Sequence, residues 1–261
     1  MTTEGIIRAE GLAIGYRQGR KGVNTVQSGL SFALEPGTLT CLLGLNGSGK
    51  STLLRTLAGA QPSLSGEIRL AGKPLPAYSV EELSRLIGLV LTDKTYAGGL
   101  RVRELVALGR QPYSGFFGVL KAEDYAVVDR SLAQVGVAHK AENYLAELSD
   151  GERQKVMIAK ALAQECPVIL LDEPTAFLDV VSRIEVMHLL KELAAGGKTI
   201  LVSTHDVEQS LPLADRLWLL GRESGLFTGE TAAVIAGGEI DRYFRRGDIG
   251  FDARALRFVK R

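Results

Sequence analysis

The sequence predicts an α/β fold built on a mainly parallel sheet, and three observations lead there. Short continuous apolar runs stand at LTCLLG (39–44), IGLVL (87–91), VILLD (168–172) and TILVS (199–203). Strands of a parallel sheet are covered on both faces, so they read as unbroken apolar runs rather than as alternation. Helical patterns lie between them, over 50–60, 102–108, 122–135, 152–164, 182–195 and 206–214. Strands alternating with helices imply helices packed on the faces of such a sheet. The third observation is the stretch of about 93–163, which holds three helical patterns and no convincing strand. It reads as a helical subdomain inserted between core strands. Ahead of the first apolar run, 6–14 and 26–34 alternate and read as half-buried strands.

Composition narrows the function classes. Of 261 residues, 46% are hydrophobic and 23% charged, which suits one compact unit. Basic residues number 31 against 30 acidic, so a net charge of +1 creates no field that would gather polyanions. Nucleic acid is therefore not an expected partner. Cys41 and Cys166 are far apart, each in an apolar stretch, which suggests neither a disulfide framework nor a cysteine metal cage and fits a reducing cytosol. No apolar run reaches the roughly 18 residues of a membrane-spanning helix, and MTTEGIIRAEG lacks the pattern of a signal peptide. Any membrane role is expected to come through a partner.

The most informative segment is GLNGSGKST, comprising Gly44, Leu45, Asn46, Gly47, Ser48, Gly49, Lys50, Ser51 and Thr52. It follows an apolar run and opens a helical pattern, the context of a phosphate-binding loop. Glycines let backbone N–H groups turn inward, and the helix N-terminus adds its positive end. Lys50 supplies a fixed cation and the Ser51 hydroxyl can bind Mg²⁺. A carboxylate for the metal shell is found in VILLDEP: Asp172 would hold Mg²⁺ through its waters, and Glu173 could polarise an attacking water as general base. Alone, that segment also reads as an acidic turn after a core strand. LSDGERQ (148–154) likewise reads as a capping box, Ser149 with Glu152 three positions on.

Order along the chain decides between these readings. The phosphate loop comes first, then LSDGERQ, then VILLDEP, then STHD at 203–206. In this order the sequence resembles the ATP-binding subunits of ABC transporters, whose Walker A, signature, Walker B, D-loop and switch-histidine elements succeed one another in the same way. The resemblance covers nearly the whole chain. It implies a P-loop NTPase (RecA-like) core with a mainly parallel sheet, an N-terminal antiparallel β subdomain and an inserted α-helical subdomain. It also implies one ATP-binding domain over 1–261, with a short C-terminal extension from about 221. ATP and Mg²⁺ are the implied ligands, and the implied assembly is a head-to-tail homodimer with each ATP shared between two subunits. Carried over by position, Ser149 and Gly151 would contact the γ-phosphate bound to the partner. Asp179, in TAFLD, would be the D-loop acid crossing the interface, and His205 would hydrogen-bond the γ-phosphate. Tyr16, in LAIGY, matches the aromatic that stacks on adenine, a contact worth roughly 1–3 kcal/mol. His139 and His188 match nothing in the pattern.

Two departures bear on mechanism. Thr92 stands where the family usually has the Q-loop glutamine, so a metal contact there works either through Thr92 and an extra water or through Asp93. Asp150 and Glu152 replace the signature's usual glycine and glutamine, and are expected to turn away from the phosphates, where a helix N-terminus stabilises each by about 0.3–1 kcal/mol.

The segment VRELVALGRQPYSGFFGVL (102–120) looks like the corresponding helical segment of importers for iron-siderophores, haem and vitamin B12. In such proteins this region forms a groove for a cytoplasmic helix of the permease. Tyr113, Phe116 and Phe117 would line such a contact or, equally, form a satellite core under a loop. Past the strand pattern near 216–220 only about forty residues remain, too few for a regulatory domain. The last stretch, 241–261, holds seven basic and three acidic residues and reads either as a solvated surface or as a segment drawn to an anionic leaflet.

The resulting expectation is the ATP-hydrolysing, energy-coupling subunit of an importer for an iron chelate (siderophore or haem) or cobalamin. It would sit peripherally on the cytoplasmic face of the plasma (inner) membrane, against a polytopic permease, served indirectly by an extracytoplasmic substrate-binding protein. The competing readings are a soluble ABC-type ATPase of nucleic-acid or translation processes and a weakly hydrolysing regulatory module.

Overall fold

A computed structural model describes residues 5–17, 22–91, 99–115 and 118–260. Two antiparallel strands open the chain, β1 (Ile7–Arg17) and β2 (Val23–Leu34), in a register that pairs Ile7 with Leu34 and Arg17 with Val23. The fully buried β3 (Leu39–Leu43) follows and runs through the loop at 44–49 into α1 (Lys50–Leu57). β4 (Ser65–Leu70) and the two-residue β5 (Lys73–Pro74) then return to the first pair, making a four-stranded antiparallel sheet in the order β2-β1-β4-β5. α2 (Val80–Ser84), capped by Ser79, leads into β6 (Ile87–Val90).

The next segment is helical: α3 (Val102–Ala107), a 3-10 turn at Leu108–Tyr113, α4 (Ala122–Gln134) and α5 (Asp150–Ala163), with α3, α4 and α5 packed on one another. The chain re-enters the sheet with β7 (Val168–Asp172), α6 (Val180–Ala195), β8 (Thr199–Thr204), α7 (Val207–Ser210) and β9 (Arg216–Gly221). It ends with β10 (Gly225–Glu230), α8 (Thr231–Ala236), α9 (Glu239–Phe244) and the hairpin β11 (Ile249–Asp252) with β12 (Arg257–Lys260).

The six-stranded sheet runs β10-β9-β3-β8-β7-β6, parallel throughout except for the edge strand β10. Its unbroken apolar strands are explained by two cores, one per face. In β7, Ile169 and Leu171 enter the core shared with the helical segment, while Val168 and Leu170 enter the core shared with β1, β2 and α1. β3 divides likewise, Cys41 and Leu43 against Leu42. Phe32 and Trp218 bridge the two sheets with ring centroids 4.5 Å apart. The helix expected over 206–214 is shortened to α7, because Pro212 lacks the N–H that a continuing helix would need.

Topology positions the chemistry. β3, β8 and β7 are neighbours, so the loops leaving their C-terminal ends come together: 44–49 after β3, His205 after β8, and Asp172–Glu173 at the end of β7. In open α/β sheets this edge is where ligands bind.

Candidate functional site

The phosphate loop has the geometry of an anion seat. Gly47 and Gly49 take φ of +77° and +106°, a region that L side chains rarely adopt, which turns the backbone into a concave cradle. A Cβ at Gly44 would fall 2.6 Å from both the Leu220 carbonyl and Ser48 Oγ, so no side chain fits there. Gln27 braces the loop from outside, its amide donating to the carbonyls of Ser48 and Gly221 at 2.9 and 2.8 Å. The Ser48 hydroxyl is buried and has no hydrogen-bond partner among the described residues. An orphaned buried donor beside an inward-turned backbone is what a phosphate oxygen satisfies.

Lys50 is 5% exposed, and its Nζ donates to the Gly44 carbonyl at 2.8 Å. It also lies 3.2 Å from Oε1 of Glu173, whose Oε2 is 3.4 Å from Nδ1 of His205. One carboxylate thus joins the ends of three strands. One of the ammonium's three N–H bonds goes to the Gly44 carbonyl and its charge is paired with Glu173, so donors remain for an incoming phosphate.

Glu173 is held by its backbone. Its φ of +45° is left-handed, a conformation that costs a non-glycine residue about 1–3 kcal/mol. The cost is offset by Ser203, the residue opposite Asp172 in the β7–β8 register. The Glu173 N–H donates to Ser203 Oγ at 2.9 Å and to its carbonyl at 3.1 Å, and the same Oγ donates to Oδ1 of Asp172 at 2.7 Å. Ser203 therefore sets both acids, a role that the STHD motif did not reveal because it depends on cross-strand register.

The donor set suits Mg²⁺. A hard divalent cation bound with phosphates takes one or two protein oxygens and keeps several waters. Ser51 opens α1 beside Lys50, and Asp172 is a buried carboxylate at the same sheet edge. Among the described residues no three His, Cys, Asp or Glu side chains form a cage of their own. Thr92 and Asp93, the other positions considered for the metal, lie outside the described residues.

Tyr16, half exposed at the end of β1, shares a hydrogen bond of 3.0 Å between its hydroxyl and Oγ1 of Thr52. Its ring therefore stands beside the phosphate loop.

Ser149 and Gly151 stand at the other end of the helical segment. Ser149 caps α5 by accepting from the Glu152 N–H at 3.2 Å, while Oε2 of Glu152 accepts from the Ser149 N–H at 2.9 Å. That N–H bond, assisted by Lys140 at 3.2 Å, holds the Glu152 carboxyl below its ordinary pKa. Asp150 pairs with Arg153 at 2.8 Å. Both extra acids are thus engaged by cations of the same chain. Gly151 abuts Ser182, whose hydroxyl donates to Oδ2 of Asp179 at 2.7 Å. Asp179 also caps α6 through the N–H groups of Val181 and Ser182, and these bonds keep its carboxyl below the usual range, the Ser182 side chain contributing most. The turn at the start of α5 and the segment that opens α6 are consequently packed together.

Of the aromatics considered for partner contact, Phe116 and Phe117 lie outside the described residues. Tyr113 is engaged within the chain: its hydroxyl donates to the Gln164 carbonyl at 2.9 Å and the Arg110 guanidinium stacks 4.0 Å from its ring centroid. Both cysteines are buried, and burial pushes the thiols up to about 12 for Cys41 and about 11 for Cys166.

Comparison with known proteins agrees with this geometry. Residues 27–176 match the ABC transporter family. An uncharacterised ABC transporter ATP-binding protein of Methanocaldococcus jannaschii is 38% identical over 82% of this chain and 73% of its own. The ferric enterobactin transport ATP-binding protein of Escherichia coli is 35% identical over 91% of this chain and 86% of its own. A solved metal-chelate type ABC transporter in an inward-facing conformation superposes with a TM-score of 0.78 at 29% identity, covering 97% of this chain and 95% of that one. An anion cradle, a buried lysine and a paired carboxylate and histidine at one sheet edge suit a nucleotide-hydrolysing site, and by the family match and these relatives the chain belongs to the ABC transporter family as an ATP-binding, ATP-hydrolysing subunit.

Proposed function

We propose that the chain is the energy-coupling subunit of an importer for an iron chelate, a siderophore or haem, or for cobalamin. The observation that carries the hydrolytic reading is the junction of Lys50, Glu173 and His205 at the ends of three adjacent strands. Support for the cargo class comes from relatives named for ferric enterobactin and iron(3+)-hydroxamate transport.

In this reading the backbone of 44–49 and Lys50 bind the β- and γ-phosphates, and Tyr16 stacks on the base. Ser51 and Asp172 would hold Mg²⁺, which when bound neutralises charge on the phosphates. Glu173 takes a proton from the attacking water, and His205 orients the γ-phosphate from the opposite side of that carboxylate. Ser149 and Gly151 reach the γ-phosphate of a second copy. Within one chain they pack beside Asp179, so a composite site needs two chains placed head to tail. ATP then closes the homodimer by binding the closed arrangement more tightly than the open one. A polytopic permease feels that closure, which places the subunit peripherally on the cytoplasmic face of the plasma (inner) membrane. Among the described residues no helix is long and apolar enough to cross a membrane.

The test is co-expression with a candidate permease and reconstitution into liposomes. ATP-dependent uptake of ferric siderophore, haem or cobalamin, lost in Glu173→Gln, supports the reading. Vigorous Mg²⁺-dependent hydrolysis with no permease retained on purification would overturn the importer assignment.

A further inference from the structure

One side chain outside every motif ties two of the site's loops together. Arg183 lies on α6, four residues past Asp179. Its Nη1 donates to Oδ2 of Asp206 at 2.9 Å, and its Nη2 donates to the Leu178 carbonyl at 3.2 Å. Asp206 directly follows His205, and Leu178 directly precedes Asp179. The pair is only partly open to solvent, with side chains 30% and 23% exposed, so salt screens it less than a surface pair.

Asp206 is itself fixed on both sides. Its Oδ1 accepts from the Gln209 N–H at 3.2 Å, capping α7, and its own N–H donates to Thr204 Oγ1 at 3.0 Å. The two neighbours of His205 are thereby locked to each other, leaving the histidine at the apex of a short turn. A four-residue helix such as α7 is too short to hold its place alone. The turn therefore takes its orientation from what it is tied to, and through Asp206 that is Arg183.

We propose that Arg183 is a positioning residue for hydrolysis: through Asp206 it holds the His205 imidazole against Glu173, and through the Leu178 carbonyl it links that histidine to the segment carrying Asp179. The inference rests on the hydrolytic reading above and deepens it. The planar guanidinium suits the task because it offers N–H bonds in a fixed fork to two acceptors at once, whereas an ammonium is a point donor. A movement of Asp179 would thus be felt at His205 without passing through the nucleotide.

The test measures kcat and KM for Mg²⁺-ATP in the full chain for Arg183→Met, Arg183→Lys, Asp206→Asn, the double variant Arg183→Met/Asp206→Asn, and His205→Ala. Asp206→Asn can keep the oxygen that caps α7, and it replaces the acceptor oxygen that meets Arg183 with an uncharged NH2 donor. ATP-binding stoichiometry corrects for any misfolded fraction. The expected result is a fall in kcat of roughly tenfold in Arg183→Met and in Asp206→Asn, short of the ~10²-fold loss that a 1 Å misplacement causes. KM should stay within about twofold and the double variant should be no worse than either single one, since both remove one interaction. Arg183→Lys should recover melting temperature without recovering native kcat. Native kcat in folded Asp206→Asn, beside a slow His205→Ala, overturns this inference alone. Native kcat in His205→Ala overturns both the inference and the histidine's assigned role.

Discussion

Oε1 of Glu173 lies 3.2 Å from Nζ of Lys50, and the other oxygen of the same carboxylate lies 3.4 Å from Nδ1 of His205. A single acid therefore spans the phosphate loop and His205, with Ser203 fixing its backbone from β8, the strand between β3 and β7. Replacing Lys50 by Ala should abolish detectable ATP binding, since a buried cation facing the phosphates is lost. Replacing Glu173 by Gln keeps the shape and removes the proposed base. ATP binding should persist while turnover falls by 10²-fold or more, the usual scale of a general base. Equilibrium binding and phosphate release, measured on both variants, check this pair of expectations.

Gly151 has no room for a side chain. A Cβ there would fall 2.6 Å from Ser182 Oγ and 2.9 Å from Ser182 Cβ. Gly151→Ala should push the start of α5 away from Ser182 and the start of α6, and weaken ATP-driven pairing while leaving ATP binding by the single chain intact. Adding Ser182→Gly, which clears both atoms, should restore part of the pairing. Sedimentation with and without ATP reads the outcome.

Asp124 gives the helical segment an acid-sensitive anchor. Its carboxyl is held below the ordinary range, first by the Lys121 N–H and then by Arg110, whose Nε lies 3.0 Å away. A depressed pKa means that this stabilisation is complete above the ordinary aspartate value, about 3.9, and is lost as pH falls through the lower folded value. Asp124→Asn should therefore destabilise the protein at pH 7, and the gap from the native chain should narrow as pH falls below the ordinary aspartate value. Urea unfolding at pH 7 and across the acid range measures it.

Phe32 and Trp218 join the antiparallel sheet to the parallel one. Phe32→Ala should cost about 3–5 kcal/mol, the usual penalty for emptying an aromatic site in a core. The chain has a single tryptophan, so Trp218 fluorescence reports this interface directly during denaturant unfolding.

Much of the central sheet was legible in the sequence for a physical reason. Each of β3, β7 and β8 feeds alternate residues into two cores, so neighbouring positions are apolar on both faces, as in Ile169 and Leu170. The strands with no such signal, β4, β5 and β10 to β12, are short and partly exposed and lack an unbroken apolar run. Among site residues, the cradle of 44–52 and the acids at 172–173 are contiguous in sequence and were readable. Ser203, Gln27 and Arg183 act through register or long-range contact, spanning 31, 21 and 23 positions to Asp172, Ser48 and Asp206 respectively, and no local pattern marks them.

The composite site is tested most directly by the assembly of Glu173→Gln in ATP and Mg²⁺, followed by light scattering coupled to size separation. The account predicts a dimer of about twice the mass of the 28.0 kDa chain that holds two nucleotides, disperses when ATP is withdrawn, and fails to form when Ser149→Phe is added. A monomer at saturating ATP, or a dimer indifferent to Ser149→Phe, would contradict it.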